Sequence, residues 1–388
     1  MNPHRANASL PEPSPEAAAH SERLRRHIAR EIDAAGGWVG FDRYMDLTLY
    51  APGLGYYTAG ARKIGDVYAG GDFVTAPEIS PLFGRAIAAQ VAQVFEQISS
   101  GGSGSILEFG AGTGRLARDL LQALAHHGVA IDRYMIVEVS ADLRERQREL
   151  LAPWPVSWLD TPPLDFEGVI IANEVLDVLP VRLFVKRDGT IFERGVTLQG
   201  DAFAFRERTA DAALLEAVRE VENETASLAD GYGSEVGFIA RAWTAQLADV
   251  LARGVALLID YGFPRREYYH PQRLMGTIMC HYRHHAHADV FWLPGLNDIT
   301  AHVDWTAMAS AAHAAGLEIL GYAAQSRFLI NCGLVELLAA EHTPAQSSAV
   351  QRLLSEAEMG ELFKVLAVGR GVEAPLLGFG RGDRLHTL

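Results

Sequence analysis

The chain has 388 residues, 49% of them hydrophobic, and a formal net charge of −14, from 34 Lys and Arg against 48 Asp and Glu. This composition predicts a large soluble enzyme with a sizeable core, and the acidic excess argues against nucleic acid as a partner. No apolar run approaches the length of a membrane span. The two cysteines, Cys280 and Cys332, are far apart and fit a reducing compartment without forming a metal or redox motif.

The N-terminal region begins with residues 1–13, which are rich in Pro, Asn and Ser and are predicted to be a disordered tail. A helix with one apolar face is predicted from Pro15 until the pair Gly36-Gly37. The region lacks the apolar core of a secretory signal and is a poor transit peptide. A cytoplasmic location is therefore expected for a bacterial chain, and the mitochondrial matrix for a eukaryotic one.

Residues 41–80 are dense in glycine and aromatic residues, including Tyr50-Ala-Pro-Gly-Leu-Gly-Tyr-Tyr57. Few helices or strands are expected there. Because long irregular segments in compact proteins are usually lids or binding loops, this segment is predicted to be one. The next helix is predicted to bury Phe83, Ile87, Val91, Val94 and Ile98 on one face.

The run Ser105-Ile-Leu-Glu-Phe-Gly-Ala-Gly-Thr-Gly-Arg115 is typical of a buried strand, a glycine turn and a helix that extends to about Ala125. Gly110, Gly112 and Gly114 let the backbone approach a ligand, and the helix N-terminus presents unpaired N–H groups there. The pattern indicates a nucleotide-like cofactor, with a turn that binds no ligand as the alternative.

The glycine spacing does not decide which cofactor is bound. Gly112, Gly114 and Ala117 fit a permitted variant of the dinucleotide motif, so NAD stays open. Glu108 favours S-adenosyl-L-methionine, because a carboxylate at the mouth of the turn would repel a pyrophosphate but could pair with the ammonium group of that cofactor.

Further apolar strands are predicted at 134–140, 156–159, 168–172 and 255–259. The first contains Glu138, about two dozen residues past the glycines, where a ribose-binding carboxylate is expected; capping of the next helix is its alternative role. The last two run into Asn173-Glu174 and Asp260. Since ligands bind at the carboxyl ends of parallel strands, these residues should converge on one site.

The rest of the chain is predicted to contain antiparallel hairpins at 182–208, a loop-rich region at 263–300, helices at 209–228, 239–253, 306–315, 334–340 and 360–368, and a strand at 317–322.

Six motifs occur in order along residues 20–370: Tyr-Ala-Pro-Gly-Leu-Gly-Tyr-Tyr, Gly-Asp-Phe-Val-Thr-Ala-Pro-Glu, Leu-Glu-Phe-Gly-Ala-Gly-Thr-Gly, Ala-Asn-Glu-Val-Leu-Asp-Val-Leu-Pro, Ile-Asp-Tyr-Gly and Asp-Ile-Thr-Ala-His-Val-Asp. Together they resemble the MidA-like family of S-adenosyl-L-methionine-dependent methyltransferases. The resemblance implies an α/β class I methyltransferase fold, with a Rossmann-like sheet of seven strands whose last strand is antiparallel.

The domain division expected on this basis is an N-terminal helical and cofactor-covering segment at 14–100, followed by a methyltransferase domain at 101–388. Insertions are expected at about 182–253 and 263–300. Mitochondrial members of the family assist respiratory complex I assembly by symmetric dimethylation of an arginine in a subunit of that complex. The resemblance thus implies S-adenosyl-L-methionine as cofactor and a protein substrate such as a complex I subunit, and it leaves homodimerisation open.

The resemblance also assigns cofactor-binding residues: Glu108, Gly110, Gly112, Gly114, Glu138, Asn173, Asp72 and Thr75. Asp72 and Thr75 belong, with Glu78, to an N-terminal loop that would fold over the cofactor. A purely structural turn that contains proline is the alternative for this loop.

Catalytic roles are expected for carboxylates. A guanidinium is protonated in solution, so acids must hold its fork, localise its charge and help to remove a proton. The candidates are Glu174 first, then Glu78, Asp177 and Asp260. A helix N-terminal acid is the alternative for Asp177, and a cap of the strand end is the alternative for Asp260.

The histidine-rich run Cys280–Asp289 has a spacing, at His281, His285 and Asp289, that could place metal ligands on one helical face. Methyl transfer needs no metal, so no metal is predicted and a substrate-lining loop is preferred. His302 could act as a general base near neutral pH or be a hydrogen-bonded structural histidine.

The sequence is compatible with three functions. The leading one is a protein arginine methyltransferase; the others are a non-catalytic assembly factor that binds the cofactor, and a small-molecule methyltransferase. The acids Glu174, Asp177 and Asp260 favour an enzyme, because a scaffold has no need of them.

Overall fold

The structure is a computed structural model, which describes residues 10–60, 74–99, 101–225, 227–341, 343–373 and 375–388. Most of the predicted N-terminal tail, and residues 61–73 of the predicted lid, lie outside the described residues. No described helix combines the length and the apolar character needed to cross a membrane.

The helices of the described residues are α1 (Pro15–Ala34), α2 (Phe41–Tyr50), α3 (Ala76–Ile79), α4 (Pro81–Ile98), α5 (Arg115–His126), α6 (Ala141–Leu151), α7 (Ala212–Glu224), α8 (Phe238–Val250), α9 (Arg265–Tyr268), α10 (Trp305–Ala314), α11 (Gln325–Asn331), α12 (Leu334–Ala340) and α13 (Pro344–Leu354), with short 3₁₀ turns at Leu377–Phe379 and Leu385–Thr387.

The strands are β1 (Val39–Gly40), β2 (Gly104–Phe109), β3 (Ile131–Val137), β4 (Val156–Leu159), β5 (Phe166–Asn173), β6 (Arg182–Arg187), β7 (Thr190–Gln199), β8 (Ala202–Thr209), β9 (Gly233–Val236), β10 (Leu251–Phe263), β11 (Met279–Tyr282), β12 (His285–His287), β13 (Asp298–Thr300), β14 (Val303–Asp304), β15 (Glu318–Ala324) and β16 (Phe363–Arg370).

These elements form two compact units. The first unit contains the described parts of 1–73, 178–239 and 265–302, and the second unit contains 74–177, 240–264 and 303–388. Each unit is built from separate stretches of the chain, because residues 178–239 and 265–302 leave the second unit and return to it.

The second unit is built on a mixed sheet in the order β15-β16-β10-β5-β2-β3-β4, with β14 beside β10. Strands β10, β5, β2, β3 and β4 are mutually parallel, whereas β16 is antiparallel to both β10 and β15. The predicted methyltransferase sheet of seven strands with an antiparallel last strand is therefore confirmed. Because β2 pairs with β3 on one side and with β5 on the other, the connections diverge at its carboxyl end, where α/β sheets bind ligands.

The core of the second unit explains why these segments form strands. The six residues of β2 are all buried, and β5 and β10 are buried along most of their lengths. Such continuous apolar runs are typical of a parallel sheet that is covered on both faces. Helix α4 confirms its predicted apolar face, with Phe83, Ile87, Val91 and Val94 in the same buried cluster as β2 and β5.

The predicted helix at 360–368 is wrong, because residues Phe363–Arg370 form strand β16. All but the last of its residues are buried, and the strand pairs with β10 and β15 on its two edges. A short, continuous apolar run carries no period that separates a buried strand from a buried helix. The long-range pairing decides the outcome.

The first unit contains a sheet in the order β1-β7-β6-β9, in which β8 also pairs with β7, and a smaller sheet in the order β12-β11-β13. The hairpins predicted at 182–208 are confirmed as β6, β7 and β8. The expectation of few helices in 41–80 is wrong at its start, where α2 buries Phe41, Tyr44 and Leu47. Abundant aromatic residues concealed the helical spacing.

The other predicted elements hold within a few residues. Helix α1 buries Leu24, Ile28 and Ile32 completely. Helices α7, α8, α10 and α12 and strand β15 occupy their predicted places, although the helix expected to reach residue 253 ends earlier, where β10 begins.

Candidate functional site

The glycine turn lies in the second unit, between the end of β2 and the start of α5. Gly110 still pairs with the neighbouring strand, since its N–H donates to the Val137 carbonyl at 2.9 Å. The φ angles of Gly110, Gly112 and Gly114 are +62°, +56° and +84°. An L side chain would be strained at all three positions, so the turn requires glycine for its backbone path.

Space around the turn adds a second reason for glycine. A Cβ atom on Gly110 would lie 3.1 Å from the Cγ2 atom of Val175, closer than ordinary contact. Gly114 is the residue that immediately precedes α5 and has no side chain with which to cap it. The first N–H groups of α5 therefore face the turn without a capping side chain, as at anion- and nucleotide-binding turns.

Glu108 is the penultimate residue of β2 and is buried, at 2% exposure. Its Oε2 atom accepts a hydrogen bond of 2.7 Å from the Tyr134 hydroxyl. Burial raises the pKa of Glu108 to about 7, the hydrogen bond from Tyr134 opposes that rise, and the nearby Glu138 adds to it. A cationic ligand would stabilise the ionised form of this carboxyl group at neutral pH. A phosphate would disfavour the ionised form further.

Glu138 follows β3 and is also buried, at 4% exposure. Its Oε1 atom accepts from the Ser140 N–H at 3.0 Å, and its Oε2 atom accepts from Gln147 Nε2 at 3.1 Å. Burial raises its pKa, and these donors oppose the rise. Ser140, rather than Glu138, is the cap of α6, since its hydroxyl accepts from the Leu143 N–H.

Val139 stands directly beside this acid and is 68% exposed, unusual for a valine among the described residues of the second unit. An apolar side chain in solvent next to a carboxylate offers a surface for a flat apolar ring beside a polar sugar. The glycine turn, the two acids and Val139 thus fit a nucleoside that carries a positive charge. They do not suit a pyrophosphate.

Glu78 lies on α3 and holds the glycine turn rather than pointing into solvent. Its carboxylate accepts a short hydrogen bond from the Thr113 hydroxyl and pairs with Arg115 at 3.1 Å. The backbone carbonyl of Thr75 accepts from the Glu78 N–H at 3.0 Å and so shapes the start of α3. Asp72, the other residue predicted in this loop, lies outside the described residues.

Asn173 is the last residue of β5, and Glu174, which follows it, has a φ angle of +54°. The Glu174 N–H donates to the Ile259 carbonyl at 2.9 Å, which fixes this conformation against β10. The Asn173 amide donates to Glu174 Oε1 at 3.2 Å, whereas the buried Asn173 Oδ1 has no hydrogen-bond partner among the described residues. Left-handed backbone in a non-glycine residue costs roughly 1–3 kcal/mol and is concentrated at functional sites.

Asp260 lies within β10 and is fully buried. Its carboxylate accepts three backbone hydrogen bonds, from Leu176 at 2.9 Å, Asp177 at 3.1 Å and Tyr261 at 2.8 Å. Burial and the charges of Asp177 and Glu174 raise its pKa well above the ordinary range, while these N–H groups oppose the rise. Asp260 therefore fixes the turn after Glu174 from within the sheet.

Asp177 is buried, and its Oδ2 atom accepts a short hydrogen bond from the Tyr261 hydroxyl. No described helix begins at this residue, so its alternative role as a helix N-terminal acid is wrong. The second unit therefore brings Glu174, Asp177 and Asp260 together at one end of neighbouring strands β5 and β10.

His302 lies in the first unit, where its backbone N–H donates to the Thr277 hydroxyl at 2.9 Å. Thr277 in turn donates to the buried Glu235 through both its N–H and its hydroxyl, at 2.8 and 2.5 Å. This network anchors the backbone at His302.

The histidine-rich run is also in the first unit and forms a hairpin, with His281 on β11 and His285 on β12. The prediction that His281, His285 and Asp289 could lie on one helical face is therefore wrong. Among the residues that the structure describes, no group of three or more His, Cys, Asp or Glu side chains is arranged to hold a metal ion.

The sequence did not point to Thr113, Tyr134, Gln147 or Tyr261, whose side chains contact the predicted acids. Each contact joins positions far apart in the chain or on different elements. The only signal available was that Thr113, Tyr134 and Tyr261 fall within, or next to, a predicted strand or turn of the site, whereas Gln147 lies in the middle of α6.

Comparison with known proteins agrees with this geometry. Residues 86–323 match the family "Putative S-adenosyl-L-methionine-dependent methyltransferase". A crystal structure of a Burkholderia thailandensis protein bound to S-adenosyl-homocysteine is 49% identical and superposes with a TM-score of 0.93, covering 98% of this chain and 100% of the other. The mitochondrial protein arginine methyltransferase NDUFAF7 is 27% identical in Danio rerio, over 90% of this chain and 87% of the relative, and 27% identical in Homo sapiens, over 89% and 83%.

Proposed function

This chain belongs to the S-adenosyl-L-methionine-dependent methyltransferase family, and from that premise we propose that it dimethylates an arginine side chain of a protein substrate symmetrically. The enzyme class and the cofactor follow from the family. The arginine target is supported by the relatives from Danio rerio and Homo sapiens, which are named protein arginine methyltransferases.

Residues of the glycine turn would hold the cofactor. Gly110, Gly112 and Gly114 leave room for it, Glu138 would accept hydrogen bonds from its ribose hydroxyls, and Glu108 would face its ammonium group. Val139 would lie along its base. Asn173, Thr75 and Asp72 remain proposed cofactor contacts, and Asn173 is supported by its buried amide oxygen, which has no partner among the described residues.

The observation on which the arginine proposal depends is the left-handed backbone of Glu174, next to the buried acids Asp177 and Asp260. When bound, the cofactor supplies an electrophilic methyl group. The guanidinium nitrogen that gains this group must lose a proton, and a guanidinium is fully protonated at neutral pH. A cluster of carboxylates meets both needs, since it binds the cation and accepts the proton.

Distinct roles for the acids follow from their contacts. Glu174 is the proposed base, because its backbone is fixed against β10 and the residue is partly exposed. Asp177, held by Tyr261, would pair with the guanidinium fork. Asp260 is bonded to three N–H groups and is proposed to position the other two.

Two further candidates have weaker support. Glu78 is proposed to act through the turn that it holds, rather than on substrate. His302 remains a proposed base, and the hydrogen bond described for it is made by its backbone N–H.

The test is methyl transfer from radiolabelled S-adenosyl-L-methionine into an extract of cells that lack this protein, followed by acid hydrolysis and mass spectrometry of the labelled amino acid. Label in protein as symmetric dimethylarginine is expected, and Glu174→Gln should abolish it while binding of the cofactor persists. Label only in metabolites would indicate a small-molecule methyltransferase, and binding without any transfer would indicate a scaffold.

The protein substrate is proposed to be a respiratory complex I subunit, on the strength of the family resemblance. The relatives named above are mitochondrial proteins. A cytoplasmic location in a bacterium stays a proposal for this chain, as does a homodimer.

A further inference from the structure

Gln147 lies on α6 in the second unit and joins three elements of the cofactor site. Its side chain is fully buried. Its Nε2 atom donates to the Gly112 carbonyl at 2.8 Å and to Glu138 Oε2 at 3.1 Å, and its Oε1 atom accepts from Trp158 Nε1 at 2.8 Å. One amide therefore connects the glycine turn, the acid after β3 and the adjacent strand β4.

We propose that Gln147 is a positioning residue that orients Glu138 toward the ribose hydroxyls of the cofactor and thereby sets selectivity for the sugar. This inference rests on the ribose-binding role proposed above for Glu138. It concerns cofactor recognition alone and is independent of the methyl acceptor.

The chemistry of the three contacts explains why glutamine is needed. A primary amide has two N–H donors and one acceptor oxygen, and all of these groups are engaged at Gln147. Both partners of Nε2 are acceptors, so a carboxylate in its place would face a carbonyl and a second carboxylate. An apolar side chain would leave Glu138 Oε2 buried without this donor, which destabilises the ionised acid.

The orientation of the amide is fixed by Trp158. An indole N–H can only donate, so it must pair with the oxygen of Gln147, and the nitrogen is left for Gly112 and Glu138. A flipped amide would set donor against donor at one end and acceptor against acceptors at the other.

Glu138 is consequently held at both oxygens, with the Ser140 N–H on Oε1 and Gln147 on Oε2. An ionised carboxylate has about four lone-pair positions, so two donors leave capacity for two hydroxyl groups. The same Gln147 side chain supports the turn, because its Nε2 atom donates to the Gly112 carbonyl at 2.8 Å. Sugar recognition and the shape of the turn are therefore coupled through one residue.

The test measures by calorimetry the affinities for S-adenosylhomocysteine and for its 2′,3′-dideoxyribose analogue. The readout is the affinity for S-adenosylhomocysteine divided by the affinity for the analogue. Gln147→Met is expected to lower this ratio about tenfold, the loss of one hydrogen bond to a charged group. Glu138→Gln should lower it as well, and the double variant should show no further fall. Glu145→Gln, on the exposed face of the same helix, is the matched control and should leave the ratio unchanged.

A purely structural role predicts a different result, namely that Gln147→Met weakens both ligands equally and leaves the ratio unchanged; that result would overturn the inference. An unchanged ratio in Glu138→Gln would overturn it too, because the acid would not read the ribose. Trp158→Phe, which removes the indole N–H donor to Gln147 and keeps an aromatic ring, should give a smaller fall in the ratio and keeps the test decisive if Gln147→Met does not fold. Because product binding needs no acceptor, failure of arginine methylation would leave this measurement intact.

Discussion

The buried carboxyl of Glu108 makes a quantitative prediction about pH and stability. Its pKa is raised from 4.5 to about 7, mainly by burial. Because the folded-state value lies above the unfolded one, the ligand-free protein holds this proton more tightly than the unfolded chain does. The protonated Glu108 therefore makes its full contribution to the free energy of unfolding below pH 4.5, and this contribution is lost as the pH rises through about 7. The difference between 7 and 4.5, at about 1.4 kcal/mol per pH unit, is about 3 kcal/mol.

Glu108→Gln imitates the protonated acid and removes this dependence. We expect the variant to be more stable than the parent by up to about 3 kcal/mol at pH 8.5, with little difference at pH 5. Urea unfolding of the ligand-free proteins at both pH values measures it, with Glu167→Gln, an exposed acid on β5, as the control. Equal pH slopes in parent and Glu108→Gln would refute the reasoning.

The same variant should bind the cofactor more weakly, because a neutral amide cannot pair with an ammonium group. S-adenosylhomocysteine retains this ammonium group but lacks the sulfonium charge. If Glu108 pairs with the ammonium group, the affinity of the parent protein for both ligands should rise between pH 6 and 8. The affinity of the variant should not rise over this range. A rise seen only with S-adenosyl-L-methionine would place the acid at the sulfonium instead.

Gly114→Ala, at a φ angle of +84°, should destabilise the protein by about 1–2 kcal/mol and weaken cofactor binding, as denaturation and calorimetry would report. Tyr261→Phe removes the donor to Asp177 and should lower kcat about tenfold while KM for the cofactor is kept; an unchanged kcat would show that this hydrogen bond does not position Asp177 for the reaction. Glu174→Asn, which tolerates left-handed backbone, should leave the unfolding free energy within about 1 kcal/mol of the parent yet abolish methyl transfer in the radiolabel assay.

The sequence predicted the positions of the central strands well because a parallel sheet leaves a local signature. An apolar run followed by a carboxylate or glycine is visible in one stretch of chain, as at Glu108 and Asp260, although β10 continues past Asp260 to Phe263. The order of the strands then follows from the family resemblance, and the site residues fall where that order brings them together.

What the sequence could not predict depends on contacts between distant positions. Strand β16 was mistaken for a helix because only its pairing with β10 and β15 distinguishes the two. The donors Tyr134 and Gln147 reach their acids across separate elements. The role of Asp260 also changes once its three N–H partners are known, since a carboxylate engaged by backbone is poorly suited to hold substrate.

The burial of the acids explains why the site favours cationic ligands. Glu108 lies on β2 and Asp260 on β10, two strands on either side of β5, and burial raises the pKa of both. Ionising such groups without a cation opposes folding, so the ligand-free sheet favours their protonated forms. A positively charged cofactor or a guanidinium reverses the sign of that interaction, since the same low polarity that penalises a lone carboxylate strengthens its attraction to a cation. The destabilisation of the empty site and its affinity for cations therefore have one physical origin, and a substitution that relieves the first must weaken the second.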